Sequence, residues 1–289
     1  MSKASRTAGQ LLHQAYRRSV PSSLRRLAWS VRSDLRLLRL ERALKARYGR
    51  AFVSAIYPRD EIFLFVYLNL TTGQGDAAAA AYYLQSGERT LGDLAEILRG
   101  VGRDFQQLDS FLEFACGYGR VTRFLVRRMP PERLTVSDID HAAVDWVRKT
   151  FGVTGFYSVA DPRDLHHDRQ YDVVFVASLF SHLPRSLWLP WLLRLRSLLE
   201  KDGLLVFSTL NLDAYEAVGR DGREVEGGFF FRSENETLGR LPTEIYGLSY
   251  VSDIFVRRLV EDESLGPLVG FYPNKLFERF QDVYVLKKE

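Results

Sequence analysis

Phe111-Leu-Glu-Phe-Ala-Cys-Gly-Tyr-Gly-Arg-Val-Thr122 decides the fold. The stretch from Ser110 to Ala115 is apolar enough for a short buried strand, and Val121 to Arg128 reads as a helix. Between them stands Gly117-x-Gly119. Glycine accepts positive φ and lets a backbone pass close to a ligand. The helix that follows offers unpaired N–H groups and the positive end of its dipole. A lone Gly-x-Gly also occurs in plain surface turns, so its neighbours carry the reading. Glu113 precedes the turn, and Asp138 lies 19 residues past Gly119 at the end of a second strand. That second acid is placed to grip a ribose diol. The third glycine of the dinucleotide fingerprint is missing, and Thr122 holds its position. A dinucleotide pyrophosphate needs that glycine for close helix–strand packing, so NAD and FAD are disfavoured. A nucleoside without phosphates has no such need.

Outward from the turn, strands and helices alternate. Leu134–Ser137 reads as a strand, Ala142–Lys149 as a helix and Tyr171–Ala177 as a buried, β-branched strand. Trp188–Leu199 then reads as a helix and Gly203–Thr209 as a strand. Such alternation predicts βαβ units in an α/β fold: a Rossmann-like, doubly wound, mostly parallel sheet. In the tail, Phe229–Phe231 reads as a strand after Gly227-Gly228, Val251–Val260 as a helix, and Asp282–Leu286 as a final antiparallel edge strand. Before the alternation, Ile62–Leu68 fits a buried helix segment or a strand equally well. Asp76 with Ala77–Ala81 starts one helix, and Thr90-Leu-Gly-Asp93 opens a second over Leu91–Leu98. The expected organisation is a basic helical extension over residues 1–50, a helical preface or lid over 51–108, and the α/β domain over 109–289, with a substrate-side insertion at 216–270.

Four motifs in order give this pattern a family likeness. Glu113-Phe-Ala-Cys-Gly-Tyr-Gly119 resembles the first motif of class I S-adenosylmethionine-dependent methyltransferases. Ser137-Asp-Ile-Asp140 resembles their acidic second-strand motif, and Tyr171 to Leu183 their fourth-strand motif. Leu198 to Ser208 resembles the turn into strand five, with Lys201-Asp202-Gly203 in place of Pro-Gly-Gly. The likeness covers roughly residues 84–215. It implies S-adenosylmethionine as cofactor and methyl transfer by in-line displacement. By the same likeness, Ala115, Gly117 and Gly119 would wrap the methionine moiety, with Cys116 and Tyr118 in the same turn. Glu113 would sit beneath it. Asp138 would hold the ribose hydroxyls, with Ile139 against the adenine. Ala177 and Ser178 would face the sulfonium. Asp161 would accept the adenine amino group, although Pro162 beside it has no N–H to offer. His182, just past strand four, is the candidate base for a hydroxyl acceptor. Ala115 stands where the family's first glycine is found. Cys116 reads as a packing residue rather than a nucleophile, since no basic partner is near in sequence.

Composition bounds the rest. With 289 residues, 46% of them hydrophobic, the chain can bury a sizeable core. One cysteine fits a reducing compartment, and no Cys/His cluster has metal-ligand spacing. The pair His166-His167 reads as a solvated loop. No secretory signal is visible, and Ile62–Leu68 is far shorter than the roughly 20 residues that span a bilayer. The expected location is cytoplasmic, peripheral at the inner membrane face if the arm meets lipid. Residues 1–50 hold 13 Lys/Arg against two acids, a charge of +11, while the remainder carries 27 basic and 34 acidic residues, or −7. Leu24, Leu27, Val31, Leu35 and Leu38 form an amphipathic stripe between arginines. That arm either packs on the body or meets an anionic membrane surface. The expected acceptor is a small molecule or glycan, methylated on oxygen. A nucleic-acid acceptor is disfavoured because no Asn/Asp-Pro-Pro-Tyr/Phe motif follows strand four. A membrane-associated binding module without activity is the remaining alternative. The tail's aromatics, Phe229–Phe231, Tyr246, Tyr250, Phe271 and Tyr272, fill a core or wall a pocket.

Overall fold

Among the described residues, the apolar strands of the sequence meet in one nine-stranded sheet. The structure, a computed structural model, describes residues 35–71, 76–212, 227–233, 241–277 and 279–289. Four strands around the glycine turn run parallel: β1 (Phe111–Phe114), β2 (Leu134–Asp138), β3 (Thr154–Tyr157) and β4 (Tyr171–Val176). With β5 (Leu199–Asn211) they form the order β3-β2-β1-β4-β5, so the order reverses between β1 and β4. Ligands bind at such a switch point, beyond the carboxyl ends of the strands. The antiparallel strand β9 (Gln281–Lys287) flanks β5 from Leu204 to Leu210, and β8 (Leu268–Leu276) pairs with β9. Past Phe207, where β4 ends, β7 (Leu248–Val251) pairs in parallel with the tip of β5, and β6 (Phe229–Arg232) closes that edge.

Alternation along the strands divides the core. Phe111, Val173, Phe175, Leu204, Val206, Val283 and Val285 face one layer. That layer holds α1 (Leu35–Tyr48), α3 (Asp76–Gly100) and α5 (His141–Phe151). Leu112, Phe114, Val174, Val176, Leu205, Phe207, Tyr284 and Leu286 face the other. There α6 (Arg185–Ser197) and α7 (Asp253–Asp262) cover them. Period-two side chains buried on both faces are what a parallel sheet between two helical layers requires. Of the expected arm, residues 35–48 form α1, and Gly49 follows it at φ +91°. Leu24, Leu27 and Val31 lie outside the described residues.

One open reading is settled and two expectations are corrected. Ile62–Leu68 is helical: α2 (Glu61–Phe65) continues into a wider π-type turn, Val66–Leu70, after Asp60 accepts the Phe63 N–H at 3.0 Å. The helix break expected at Thr90 is absent. Asp76–Gly100 is one helix of 25 residues, and Thr90 Oγ1 donates back to the Ser86 carbonyl at 2.9 Å. His167 is half-buried, its ring 3.7 Å from that of Phe156 and its Nε2 2.8 Å from the Tyr171 hydroxyl. Phe156, eleven residues earlier on β3, stacks on the ring and takes it out of solvent.

Gly87 explains why α3 tolerates a glycine in mid-helix. A Cβ built there would lie 2.2 Å from the Arg120 carbonyl, so the helix rests directly on the segment after the glycine turn. Gly92 faces open space. Gly87→Ala should therefore destabilise the protein by about 1–3 kcal/mol through overpacking. Gly92→Ala should stabilise it by about 0.5–1 kcal/mol through helix propensity. Guanidinium unfolding of the two variants reads the difference, and equal effects would contradict the close approach.

Candidate functional site

At the switch point the chain encloses a cavity of ≈ 410 Å³. Its floor is the stretch Glu113–Tyr118, its side the β2 end Asp138–His141, and its far wall Ala177–Leu179 with His182. The turn between β1 and α4 (Thr122–Leu125) needs unusual backbone. Ala115 sits at φ +60° and Gly117 at φ +52°, and a Cβ on Gly117 would meet nothing within 4 Å. Gly117 thus leaves room for a ligand against bare backbone. Across the sheet, Ser178 at the end of β4 is likewise left-handed at φ +65°. Two non-glycine residues in that conformation on adjacent strand ends are strained backbone of the kind found at functional sites.

The acids are held by specific donors. Asp138 Oδ2 accepts the Gly117 N–H at 2.8 Å and Oδ1 the Asp140 N–H at 2.9 Å, which ties the glycine turn to β2. Each oxygen keeps acceptor capacity. Burial raises the Asp138 pKa, and the backbone donors oppose it. Glu113 is 4% exposed beneath the turn, where Thr122 Oγ1 donates to Oε2 at 2.6 Å. Burial pushes its pKa up to about 8. Cys116 is buried, its N–H bonded to the Ser137 carbonyl, and burial pushes its thiol up as well. Tyr118 donates to Asp140 at 2.8 Å and stacks on Tyr57 at 4.5 Å.

The N-terminal segment closes the cavity from above. Asp60, Glu61, Ile62, Phe65 and Tyr83 line it, and the Tyr83 hydroxyl donates to Asp60 Oδ2. Arg123, 1% exposed, clamps this segment to the turn. Its Nε donates to the Gly119 carbonyl at 3.0 Å, and Nη1 donates to the Val53 and Ala55 carbonyls at 3.3 and 3.0 Å.

His182 is held by the inserted hairpin. Its Nδ1 lies 2.8 Å from the Gly247 carbonyl, which can only accept, so the imidazole proton sits on Nδ1 and Nε2 is the basic nitrogen. The Gly247 N–H returns a 2.8 Å bond to the His182 carbonyl, and Ser249 N–H bonds Ser181. The Tyr246 ring stacks on the imidazole at 4.6 Å. A Cβ on Gly247 would lie 2.2 Å from the Arg232 carbonyl, so only glycine fits.

Of the residues the sequence singled out, Glu113, Ala115, Cys116, Gly117, Tyr118, Asp138, Ile139, Ala177, Ser178 and His182 all line the cavity. Two do not. Gly119, at φ +79°, serves packing: a Cβ there would lie 2.7 Å from the Phe151 ring of α5. Asp161 caps the turn Pro162–Asp164 and pairs with the exposed Arg163 at 2.5 Å, which holds its carboxyl down at about 2. Ser178 lines the wall, but its hydroxyl joins a buried network with Ser208 and Gln281. Tyr246, one of the tail aromatics read as filling a core or walling a pocket, also lines it, while sequence reasoning missed Asp60, Tyr83, Arg120, Leu241, Ile245 and Phe277 as cavity residues. Asp60-Glu61 before an apolar run was the only local signal among them.

With this geometry in place, comparison with known proteins is informative. Residues 111–203 match the family model described as a methyltransferase domain. Residues 111–203 therefore carry a methyltransferase domain. The match runs from β1 to Gly203 and contains the glycine turn, both acids and His182. Solved structures similar to the chain include an S-adenosylmethionine-dependent methyltransferase from Clostridium acetobutylicum (14% identity, 71% of this chain and 92% of that one, TM-score 0.46). They also include 1,6-didemethyltoxoflavin-N1-methyltransferase from Burkholderia thailandensis (13%, 71% and 80%, 0.49). A third is the CcbJ methyltransferase from Streptomyces caelestis (18%, 71% and 95%, 0.49). The comparison with curated proteins returns no match.

Inside the methyltransferase domain, Glu113 yields a pH prediction. Its carboxyl titrates near 4.5 when unfolded and at about 8 when folded. Between those values the folded state binds the extra proton, so this group's contribution to stability falls as pH rises through that window and is constant outside it. Glu113→Gln keeps an acceptor for Thr122 and removes the titration. The variant should therefore gain stability on the wild type from pH 5 to pH 8 in denaturant unfolding. A gap independent of pH would contradict the buried, protonated carboxyl.

Proposed function

We propose that the protein transfers the methyl group of S-adenosylmethionine to a hydroxyl of a small-molecule or glycan acceptor. The observation that carries this reading is one cavity that joins the open Gly117 turn, the Asp138 carboxylate and the His182 imidazole. Its volume suits a nucleoside with an aminoacyl tail. Ala115–Tyr118 would cradle that tail, Asp138 would take the ribose hydroxyls, and Ile139 would lie against the adenine. Bound there, S-adenosylmethionine supplies a methyl group already activated by its sulfonium. The chain's own task is alignment and exclusion of water, an effect that can be worth ~7–11 kcal/mol.

His182 supports a hydroxyl acceptor. Gly247 fixes the tautomer, so Nε2 is the nitrogen that takes a proton, and the Tyr246 stack fixes the ring plane. A hydroxyl must lose its proton as the new bond forms, whereas an amine with a free lone pair needs no base before attack. Leu241, Ile245 and Tyr246, beside His182, wall the acceptor side.

Calorimetry on the full chain should show binding of S-adenosylhomocysteine and no binding of NADH, and the reverse result would overturn the cofactor reading. Asp138→Ala should weaken that binding by roughly 1.5–3 kcal/mol, the scale of a charge-assisted hydrogen-bond pair. With labelled S-adenosylmethionine and a panel of hydroxylated metabolites and glycans, label should appear on an acceptor oxygen. His182→Gln should slow that transfer by roughly 100- to 10,000-fold. Its affinity for S-adenosylhomocysteine should not change. Full activity in this variant would remove His182 as the base.

A further inference from the structure

The cavity wall around His182 is apolar. Ile62 and Phe65 stand one turn apart on α2, Leu179 follows β4, and Leu241, Ile245 and Tyr246 belong to a lip whose N–H groups at 245 and 246 both bond the Pro242 carbonyl. Ile62 is 41% exposed although it lines the cavity, which places it at the mouth. The charged side chains that line the cavity stand elsewhere: at the start of α2, around the glycine turn and at the end of β2. Ser178, beside Leu179, is spent, since its hydroxyl donates to Gln281 Oε1 at 3.2 Å and accepts from Gln281 Nε2 at 2.9 Å. A sugar carries a hydroxyl on nearly every carbon, and against such a wall each would lose water without gaining a partner. The base points the same way. The Nδ1 proton of His182 goes to the Gly247 carbonyl at 2.8 Å and not to a carboxylate, so no counter-charge at that nitrogen strengthens Nε2. Such a base matches an acidic hydroxyl. A phenol titrates at about 10, whereas an alkyl or sugar hydroxyl is nearer to water, at about 15.7.

We propose that the acceptor is a phenol, a planar aromatic body seated between the Ile62–Phe65 face of α2 and the 241–246 lip, with its hydroxyl at His182 Nε2. This rests on the hydroxyl-transfer reading above. The phenol O–H bond breaks and its proton passes to Nε2. The oxygen's electron pair forms the new bond to the methyl carbon as the carbon–sulfur bond breaks, and the sulfur keeps that bond's electrons. The products are an aryl methyl ether, S-adenosylhomocysteine and an imidazolium, so the one positive charge moves from sulfonium to His182. The Tyr246 face, 4.6 Å from the imidazole ring, supports the cation so formed.

The test is transfer by the full chain from labelled S-adenosylmethionine to matched probes: 2-naphthol and smaller phenols, decahydro-2-naphthol, methyl glucoside and 2-naphthylamine. The phenols should be methylated on oxygen, with kcat/KM roughly 100-fold or more above that of the decahydro alcohol, and the glucoside should not react. Ile245→Asn sets an amide against the ring and should raise KM for the best phenol roughly 10-fold. Its affinity for S-adenosylhomocysteine should not change, which also reports that the variant is folded. An unchanged KM in that variant would overturn the seat assigned to the ring. Transfer to the alcohol or the glucoside as fast as to the phenols would overturn the proposal and keep the hydroxyl reading. Transfer to the naphthylamine nitrogen alone would overturn both. No transfer to any probe by a chain that binds S-adenosylhomocysteine would overturn the proposal too. A chain that does not bind that nucleoside would fail the cofactor reading and the proposal with it.

Discussion

The buried Arg123 guanidinium joins the two parts of the molecule that make the cavity. One part is the glycine turn, whose Gly119 carbonyl it holds; the other is the segment at Val53 and Ala55, which leads into Asp60 and α2. No ion pair compensates its charge among the described residues, and one of its nitrogens, Nη2, has no partner. Three carbonyl dipoles and the faces of Tyr83 and Phe151 do the work instead. Removing an unpaired buried charge from water is expensive, so the carbonyls must be present together. That requirement couples the roof of the site to its floor: if the segment at 53–55 lifts, the cation loses two of its three acceptors.

Two strained residues lie beneath that roof. Ala115 and Ser178 are left-handed at the ends of β1 and β4, neighbours in the sheet, at a cost of order 1–2 kcal/mol each. Each is held by surrounding bonds. The Cys116 N–H reaches Ser137, and the Ser178 N–H reaches Ser208 Oγ at 2.9 Å. The effect of both bends is to turn the chain away from the strand axis at the point where the sheet order reverses. Space opens there without any loss of strand pairing below.

Much of this was legible in the sequence because its causes are local. Period-two apolar strands, the Gly117 turn and the acid that ends β2 each leave a mark within a few residues. β3 left little, being a short edge strand with exposed ends whose clearest tie is a Thr135–Thr154 hydroxyl pair. The single helix Asp76–Gly100 was read as two because Thr90-Leu-Gly-Asp93 resembles a helix start, and the nearby Gly87 gives no local sign of its packing role. The cause of that glycine, the Arg120 carbonyl, lies 33 residues away. The same limit hid Asp60, Tyr83 and Arg120, which reach the cavity only through tertiary packing. Asp161 was misplaced for the converse reason: an adjacent arginine captured a carboxylate that the family likeness assigned to a ligand.

The most direct test of the account is the structure of the full chain crystallised with saturating S-adenosylhomocysteine. The account predicts continuous density in the cavity, with the ribose hydroxyls on the Asp138 carboxylate and the thioether over the Gly117 turn. Density for that ligand elsewhere, or a ribose on other side chains with Asp138 still facing only Gly117 and Asp140, would contradict it.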